Sequence, residues 1–451
     1  MNKKISYLLG ITAAISSTSI MAYTDAEIEK RFQYYEEKIQ SLEKKVESGA
    51  FDKKTKKTIK RNKKKVARMA DALATEKERV QINGFMTVGA SRADDELGTG
   101  YLFNDRVNFR GDSKLGLQFD YKLSEDTNAT VQLVARSRSE DTWRVDAEWA
   151  YISHDITSWV TTRVGRLRIP FYLYSESLDV GLSYPWVRPP IDLYTTVITS
   201  FDGIDFTFKA NTGPINHRMQ VWAAAQRGAD NGNAQQIDIY DSYGINITSN
   251  WNAITARLAT TQIKLEGKQV LERHDQIPVV ALPGVEASSG GTAVCNAESL
   301  IPTTFGATCN QWDLTVDVLD AVYYHSAALQ YDDGNLLLLY EGAVLKISED
   351  LVFGDDRSNS FTAAYRSGSW TPYATMGRSK SELSAVGPQT KRKSRSFGLR
   401  YSLNDSTAVT VEWNHFYDMQ GSGSFNASAI DTGDIDLDDT NVYSIVVDAV
   451  F

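Results

Sequence analysis

Residues 113–136 read SKLGLQFDYKLSEDTNATVQLVAR. Leu115, Leu117, Phe119, Tyr121 and Leu123 alternate with Lys114, Gly116, Gln118, Asp120 and Lys122. After the polar run SEDTN, Val131, Leu133 and Ala135 alternate with Gln132 and Arg136. A period of two sustained this long specifies a strand with one apolar and one polar face. Strands of soluble sandwiches alternate too, but most run only ~5–6 residues. Strands of ~9–11 residues suit a tilted bilayer crossing.

Sixteen such segments can be marked, at about 80–91, 112–123, 128–139, 143–154, 158–168, 201–210, 216–227, 236–248, 252–265, 318–332, 335–348, 358–367, 370–381, 392–403, 407–418 and 440–451. Their connections alternate between tight turns (SEDTN, DITS, NTGPI, SNW, DDGN, RSGSW, NDS) and longer segments, including 169–200, 266–317 and 419–439. Gly, Asn, Asp and Ser suit the tight turns. Short turns on one rim and long loops on the other are the layout of an outer-membrane barrel. The run DTNVYSIVVDAVF at 439–451 puts Tyr443, Ile445, Val447, Ala449 and Phe451 on one face. In lipid no strand edge can stay unpaired, so this strand is expected to pair with the first and close the ring. Phe451 then joins an aromatic girdle. The expected fold is all-β, a 16-stranded antiparallel transmembrane β-barrel over 80–451, preceded by an α-helical coiled coil.

The first 22 residues, MNKKISYLLGITAAISSTSIMA, carry Lys3 and Lys4, an apolar run to Ile15 and small residues to Ala22, the layout of a secretory signal peptide. From there, 23–79 form an arm in which Ile28, Phe32, Tyr35, Ile39, Leu42 and Val46 make an a/d seam, and Ile59, Val66, Leu73 and Val80 resume a seven-residue spacing. One such helix has nothing of its own to bury the stripe against, which implies partner copies or a fold-back onto the body. Residues 1–79 hold 19 of the 48 Lys and Arg and 11 of the 57 Asp and Glu, so a basic arm precedes an acidic body. The run KKTKKTIKRNKKKVAR reads as a solvated face; export removes nucleic acid as its partner. Cys295 and Cys309, in a Gly/Ser/Thr-rich stretch of an exported chain, read as one disulfide, and without nearby His they fall short of a metal site. No metal or other cofactor is implied.

The terminal VYSIVVDAVF and the long connection after the fifth strand resemble the trimeric general porins of Gram-negative bacteria. Ala449 departs from the aromatic usual in the third place from the end. The coiled-coil arm is similar to that of a subset of substrate-preferring trimeric porins, including those for dicarboxylates. The resemblance implies a homotrimer in the outer membrane with its arm in the periplasm. Its contacts would be membrane lipid and lipopolysaccharide, small hydrophilic solutes, and the barrel assembly machinery that reads Phe451. It also implies that 169–200 folds inward to constrict a water-filled channel.

That connection, PFYLYSESLDVGLSYPWVRPPIDLY, carries Glu176, Asp179, Arg188 and Asp192. Basic wall residues are expected to face it. With Leu133 and Ala135 toward lipid, Arg136 and Arg138 point inward; with Trp149 and Tyr151 outward, Arg144, Asp146 and Glu148 point inward. In VTTRVGRLRIP, unbroken alternation would turn Arg166 and Arg168 to lipid while Arg163 faces inward. An arginine at mid-bilayer costs about 2–4 kcal/mol, so a bulge at Gly165 is expected to return all three to the lumen. The alternative puts them at the rim or a subunit interface. An acidic loop facing a basic wall sets a field across the channel. The arginines could equally favour dicarboxylate or phosphate. The five His are scattered with no nucleophile at motif spacing, which argues against an enzyme. A membrane tether is the remaining alternative.

Overall fold

A strand that is apolar on one face and polar on the other leaves no edge exposed only if its sheet closes on itself. The computed structural model shows this closure. It describes residues 34, 37, 41, 57, 61, 64, 79–94, 105–136, 143–194, 199–230, 236–273, 277–278, 292–295, 300–303, 306–309, 312–347, 355–381, 390–420, 436–437 and 439–451. The chain divides into two units, 1–80 and 81–451. In the first, Tyr34, Glu37, Ser41, Lys57, Arg61, Lys64 and Arg79 are helical. The signal segment and the seam residues Ile28 to Leu73 lie outside the described residues, as does Arg138.

Among the described residues, sixteen strands form the closed ring of the second unit, with shorter strands in its long connections: β1 (Val80–Ala93), β2 (Lys114–Lys122), β3 (Thr127–Arg136), β4 (Arg144–Thr157), β5 (Val160–Arg168), β6 (Ser200–Thr212), β7 (Ile215–Asp230), β8 (Gln236–Trp251), β9 (Ile254–Arg273), β10 (Trp312–Asp332), β11 (Leu336–Ile347), β12 (Asp356–Tyr365), β13 (Trp370–Ser381), β14 (Thr390–Asn404), β15 (Thr407–Gln420) and β16 (Thr440–Val450). Each pairs with its neighbours in chain order. The ring closes antiparallel between β1 and β16, from Phe85 against Val450 to Ala93 against Val442. Gly84 and Phe451 extend the seam with reciprocal backbone hydrogen bonds of 2.6 and 2.9 Å.

Hairpins β2–β3, β4–β5, β6–β7, β8–β9, β10–β11, β12–β13 and β14–β15 turn within two to four residues on one rim, and the intervening connections are longer. The ladder between β9 and β10 outruns the sequence expectation: it continues from Ile254 against Tyr331 up to Arg273 against Trp312. Much of the stretch expected as a loop at 266–317 is therefore strand. The two-residue period marks only the part that separates two solvents, whereas backbone pairing continues wherever both faces can be wetted. The backbones of Cys295 and Cys309 pair with Trp312 and with Ile277 and Leu300. Their side chains, and hence the disulfide, lie outside what is described.

The two faces differ as the alternation requires. Along β16, Tyr443, Ile445 and Val447 are exposed on the outside, while Val442, Ser444, Val446 and Asp448 are buried within. Elsewhere the outer face carries Val131, Leu133, Ile245, Ile247, Leu258, Leu329, Phe361 and Phe397. Near the short turns Trp159, Trp251, Tyr331, Tyr365, Trp370, Tyr401 and Phe451 are exposed. No helix among the described residues is long and apolar enough to cross a membrane. An apolar band ending in aromatic side chains is the surface that a bilayer wets.

Candidate functional site

The connection after β5 carries too much apolar surface to stand in water. Ile169, Phe171, Tyr172, Tyr184, Trp186, Val187 and Leu193 are all buried. They achieve this by turning into the barrel. Phe171, Tyr172 and Leu193 pack with the wall residues Leu167, Phe201, Trp222, Ile263 and Tyr324. Tyr184 and Trp186 pack with Leu337, Leu339, Ala364 and Tyr373, on β11 to β13. The segment therefore meets widely separated parts of the wall.

Hydrogen bonds fix its course. Arg257 on β9 donates to the Pro170 carbonyl (2.6 Å), and Ser326 on β10 to that of Phe171 (2.6 Å). Glu341 on β11 holds both limbs, accepting from the Leu173 amide and the Tyr194 hydroxyl at 2.7 Å each. The Trp186 indole donates to Thr375 (2.9 Å) and Thr362 (3.1 Å). Arg400 on β14 donates to the Tyr184 and Gly181 carbonyls. Arg188 grips Asp112 with two bonds of 2.7 Å and reaches Ser444 on β16. Asp192 accepts from Arg392 (2.9 Å) and Ser394. A Cβ on Gly377 would lie 2.1 Å from the Asp192 carboxylate, so this approach needs a residue without a side chain.

The ascending limb is held by charge. Asp179 accepts from Arg136 (2.9 Å) and Arg168 (2.5 Å). Glu148 on β4 accepts from Arg168 (2.8 Å) and also contacts Arg136. All but Arg136 are nearly inaccessible. Glu176 pairs with Arg163 (3.2 Å) and Arg218 (3.3 Å), and Arg163 is also bound to buried Asp205 (2.6 Å). Burial raises the Asp179 carboxyl, but Arg136, Arg168 and Lys114 more than offset it and hold it well below the usual carboxylate range. Glu176 is shifted in the same direction: burial raises it, and Arg218 and Arg163 lower it further. Glu176 and Asp179 are thus ionised and paired.

Several expected positions differ. Arg136, Arg163 and Arg168 reach the loop, but they touch Glu148, Asp179, Glu176 and Asp205 directly instead of facing them across a gap. Arg188, on the loop itself, binds Asp112 in the connection before β2 and lies 3.7 Å from Glu412 on β15, reversing the expected polarity there. Arg144 pairs with Asp146 on its own strand (3.2 Å). The bulge expected at Gly165 is absent: register runs unbroken through it on both sides. The slip lies in β4, where Gln132 pairs with Trp149 and Leu133 with Ala147, leaving Glu148 unpaired. That extra residue also overturns the outward reading of Trp149 and Tyr151. Tyr151 packs on the inner cluster, its ring 5.4 Å from the Arg163 guanidinium carbon. Arg166 is not at the constriction. It shares the outward face with exposed Val164 and is neutralised by Asp202 on β6 (2.9 Å), so Arg166 itself needs no bulge.

Gly165 still has a distinct role, since its φ is +132° and an added Cβ would lie 2.3 Å from the Ala150 carbonyl oxygen. Gly165→Val is expected to cost at least about 1–3 kcal/mol, the scale of a residue forced into such a conformation, read as a lower denaturation midpoint.

The alternation did not single out Glu341, Arg257, Arg218 or Asp205. One signal was available: Glu341 is a lone acid inside LLLLYEGAVL. A carboxylate in an apolar strand must face inward and find donors.

No protein-family model and no curated protein matches the chain. Solved structures do. Over 82% of this chain, it is similar to Salmonella typhi OmpF in complex with daunomycin (11% identity, 97% of that chain, TM-score 0.52). An anion-selective porin from Comamonas acidovorans matches over the same share (13% identity, 99% of that chain, TM-score 0.50). The outer membrane channel DcaP of Acinetobacter baumannii does so too (9% identity, 97% of that chain, TM-score 0.50). This chain has the porin fold.

Proposed function

We propose that the protein is an outer-membrane porin, a passive pore for small hydrophilic solutes and ions, with no enzymatic activity and no cofactor. The carrying observation is a closed ring, apolar outside, whose interior is crossed by a segment tied to the wall by buried ion pairs. A sixteen-strand barrel encloses an aqueous channel unless something fills part of it, and the segment from Ile169 to Tyr194 narrows this one. Glu176, Asp179, Arg136, Arg144, Arg163, Arg168 and Arg188 set the constriction. Arg138 belongs with them in this reading on the strength of its place in the alternation.

The reading favours general diffusion over a dicarboxylate or phosphate channel. Guanidinium groups recognise those anions through two parallel hydrogen bonds. Here Arg163 and Arg188 already spend that geometry on Asp205 and Asp112. We further propose a homotrimer, a signal peptide ending at 22, a periplasmic coiled-coil arm over 23–79, a Cys295–Cys309 disulfide and a sorting role for Phe451. In a planar lipid bilayer the purified protein is expected to give conductance steps in groups of three that scale with bulk salt. Under a salt gradient, a reversal potential near zero supports general diffusion, and a strongly anion-selective one contradicts it. A silent bilayer favours a tether.

A further inference from the structure

Between two charge clamps the inward segment has an uncharged tip. Asp179 is clamped by Arg136 and Arg168, and Arg188 by Asp112. From Val180 to Val187 the sequence reads VGLSYPWV. This tip reaches several walls at once. Arg400 on β14 donates to the Gly181 and Tyr184 carbonyls, and the Trp186 indole donates to Thr362 on β12 and Thr375 on β13. Lys114 on β2 lies 3.4 Å from the Tyr184 hydroxyl. Gly181 sits against Asp448 on β16, so that an added Cβ would fall 2.5 Å from the carboxyl carbon.

The two limbs complete the crossing. Glu176 and Asp179 pair with β3, β5 and β7; Pro170, Phe171 and Leu173 bond to β9, β10 and β11; Asp192 bonds to β14. Arg188 reaches β15 and β16. With the tip, the segment therefore touches β2, β3, β5, β7 and every strand from β9 to β16. It also packs on itself: ring centroids lie 4.3 Å apart for Tyr172 and Tyr194, 5.5 Å for Tyr174 and Trp186, and 5.7 Å for Tyr184 and Trp186. A fringe that merely narrows a channel needs one side of the wall. A segment joined to itself and to the wall on all sides is a stopper.

Its anchors are not equally releasable. Moving either clamp strands a buried ion without its partner, which is strongly destabilising. Moving the tip breaks hydrogen bonds to carbonyls and hydroxyls, together with apolar contacts, and leaves Arg400 to the entering water. Ser183 already has the tip's outer side exposed. Resting on the pore reading above, we propose that the segment as seen closes the lumen. Solute passes only when the tip from Val180 to Val187 lifts off β12 to β14 between its fixed clamps, with Trp186 as the latch.

The test ties the tip down reversibly. Gly181→Cys with Asp448→Cys, in a background of Cys295→Ser and Cys309→Ser, brings two thiols within reach of a disulfide. The full chain is recorded in a planar bilayer oxidised and then reduced, with the bridge verified by mass spectrometry. Oxidation is expected to lower the fraction of time spent open at least tenfold, and a reductant to restore it. A bridged protein that conducts like its reduced form overturns the proposal. Trp186→Ala frees the latch without a tether and is expected to raise the open fraction at least threefold over the parent. An unchanged open fraction in that variant, once it is folded and inserted, also overturns the proposal. Silence of the parent, the reduced pair and Trp186→Ala alike defeats the pore reading itself, whereas steady conduction that ignores the tether defeats only the stopper.

Discussion

Replacing Arg168 by Met is expected to destabilise the barrel by about 3–5 kcal/mol, the usual consequence of removing one member of a buried ion pair. Arg168 lies between Glu148 and Asp179, at 2.8 and 2.5 Å, and all three side chains are nearly inaccessible. Without it the two carboxylates share Arg136, with Lys114 the other cation acting on Asp179. The loss should appear as a lower denaturation midpoint in detergent and as noisier conductance, because Asp179 is also the point where the loop is held to β3 and β5. A second substitution makes the cause testable. Asp179→Leu added to Arg168→Met removes one stranded charge and should recover part of the midpoint, since an apolar replacement of a whole buried pair is often neutral. An unchanged midpoint in the single variant would mean that this cluster does not carry the docking energy.

Glu341→Ala should act on the channel more than on the barrel. Both limbs of the inward segment depend on this carboxylate through the Leu173 amide and the Tyr194 hydroxyl. Hydrogen bonds to a charged group are worth about 1.5–3 kcal/mol each, so losing both removes a large share of what holds the loop across the lumen. Single channels of the variant are expected to flicker and to show a several-fold higher maximal conductance, while the barrel still migrates as a folded species. Glu341→Gln keeps an acceptor and should fall between the two. Parental conductance in Glu341→Ala would show that some other element limits the flow.

Much of the barrel was legible because lipid and water impose a two-residue period that Leu115 to Leu123 and Tyr443 to Phe451 display openly. The site was legible only in outline. That Arg163 faces the loop follows from the alternation, and that Arg168 does so follows from the cost of exposing arginine to lipid, but the route to that second outcome does not. The irregularity sits at Glu148 on β4, not at Gly165, because a bulge is set by both strands of a pair and one sequence segment shows only half of it. Arg166 escaped the argument for a related reason: its neutralising partner, Asp202, lies on the next strand, 36 residues along the chain. Periodicity reports which face a side chain takes and is silent on what that side chain meets.

The most direct test of lipid on one side of the wall and water on the other is spin-label accessibility along β8 and β16. Single cysteines are placed at successive positions in a background with Cys295→Ser and Cys309→Ser, and collision with oxygen, which partitions into lipid, is measured in reconstituted bilayers. Maxima are expected at 243, 245 and 247 on β8 and at 443, 445 and 447 on β16, with minima between. A flat profile, or maxima at the intervening positions, would contradict the account.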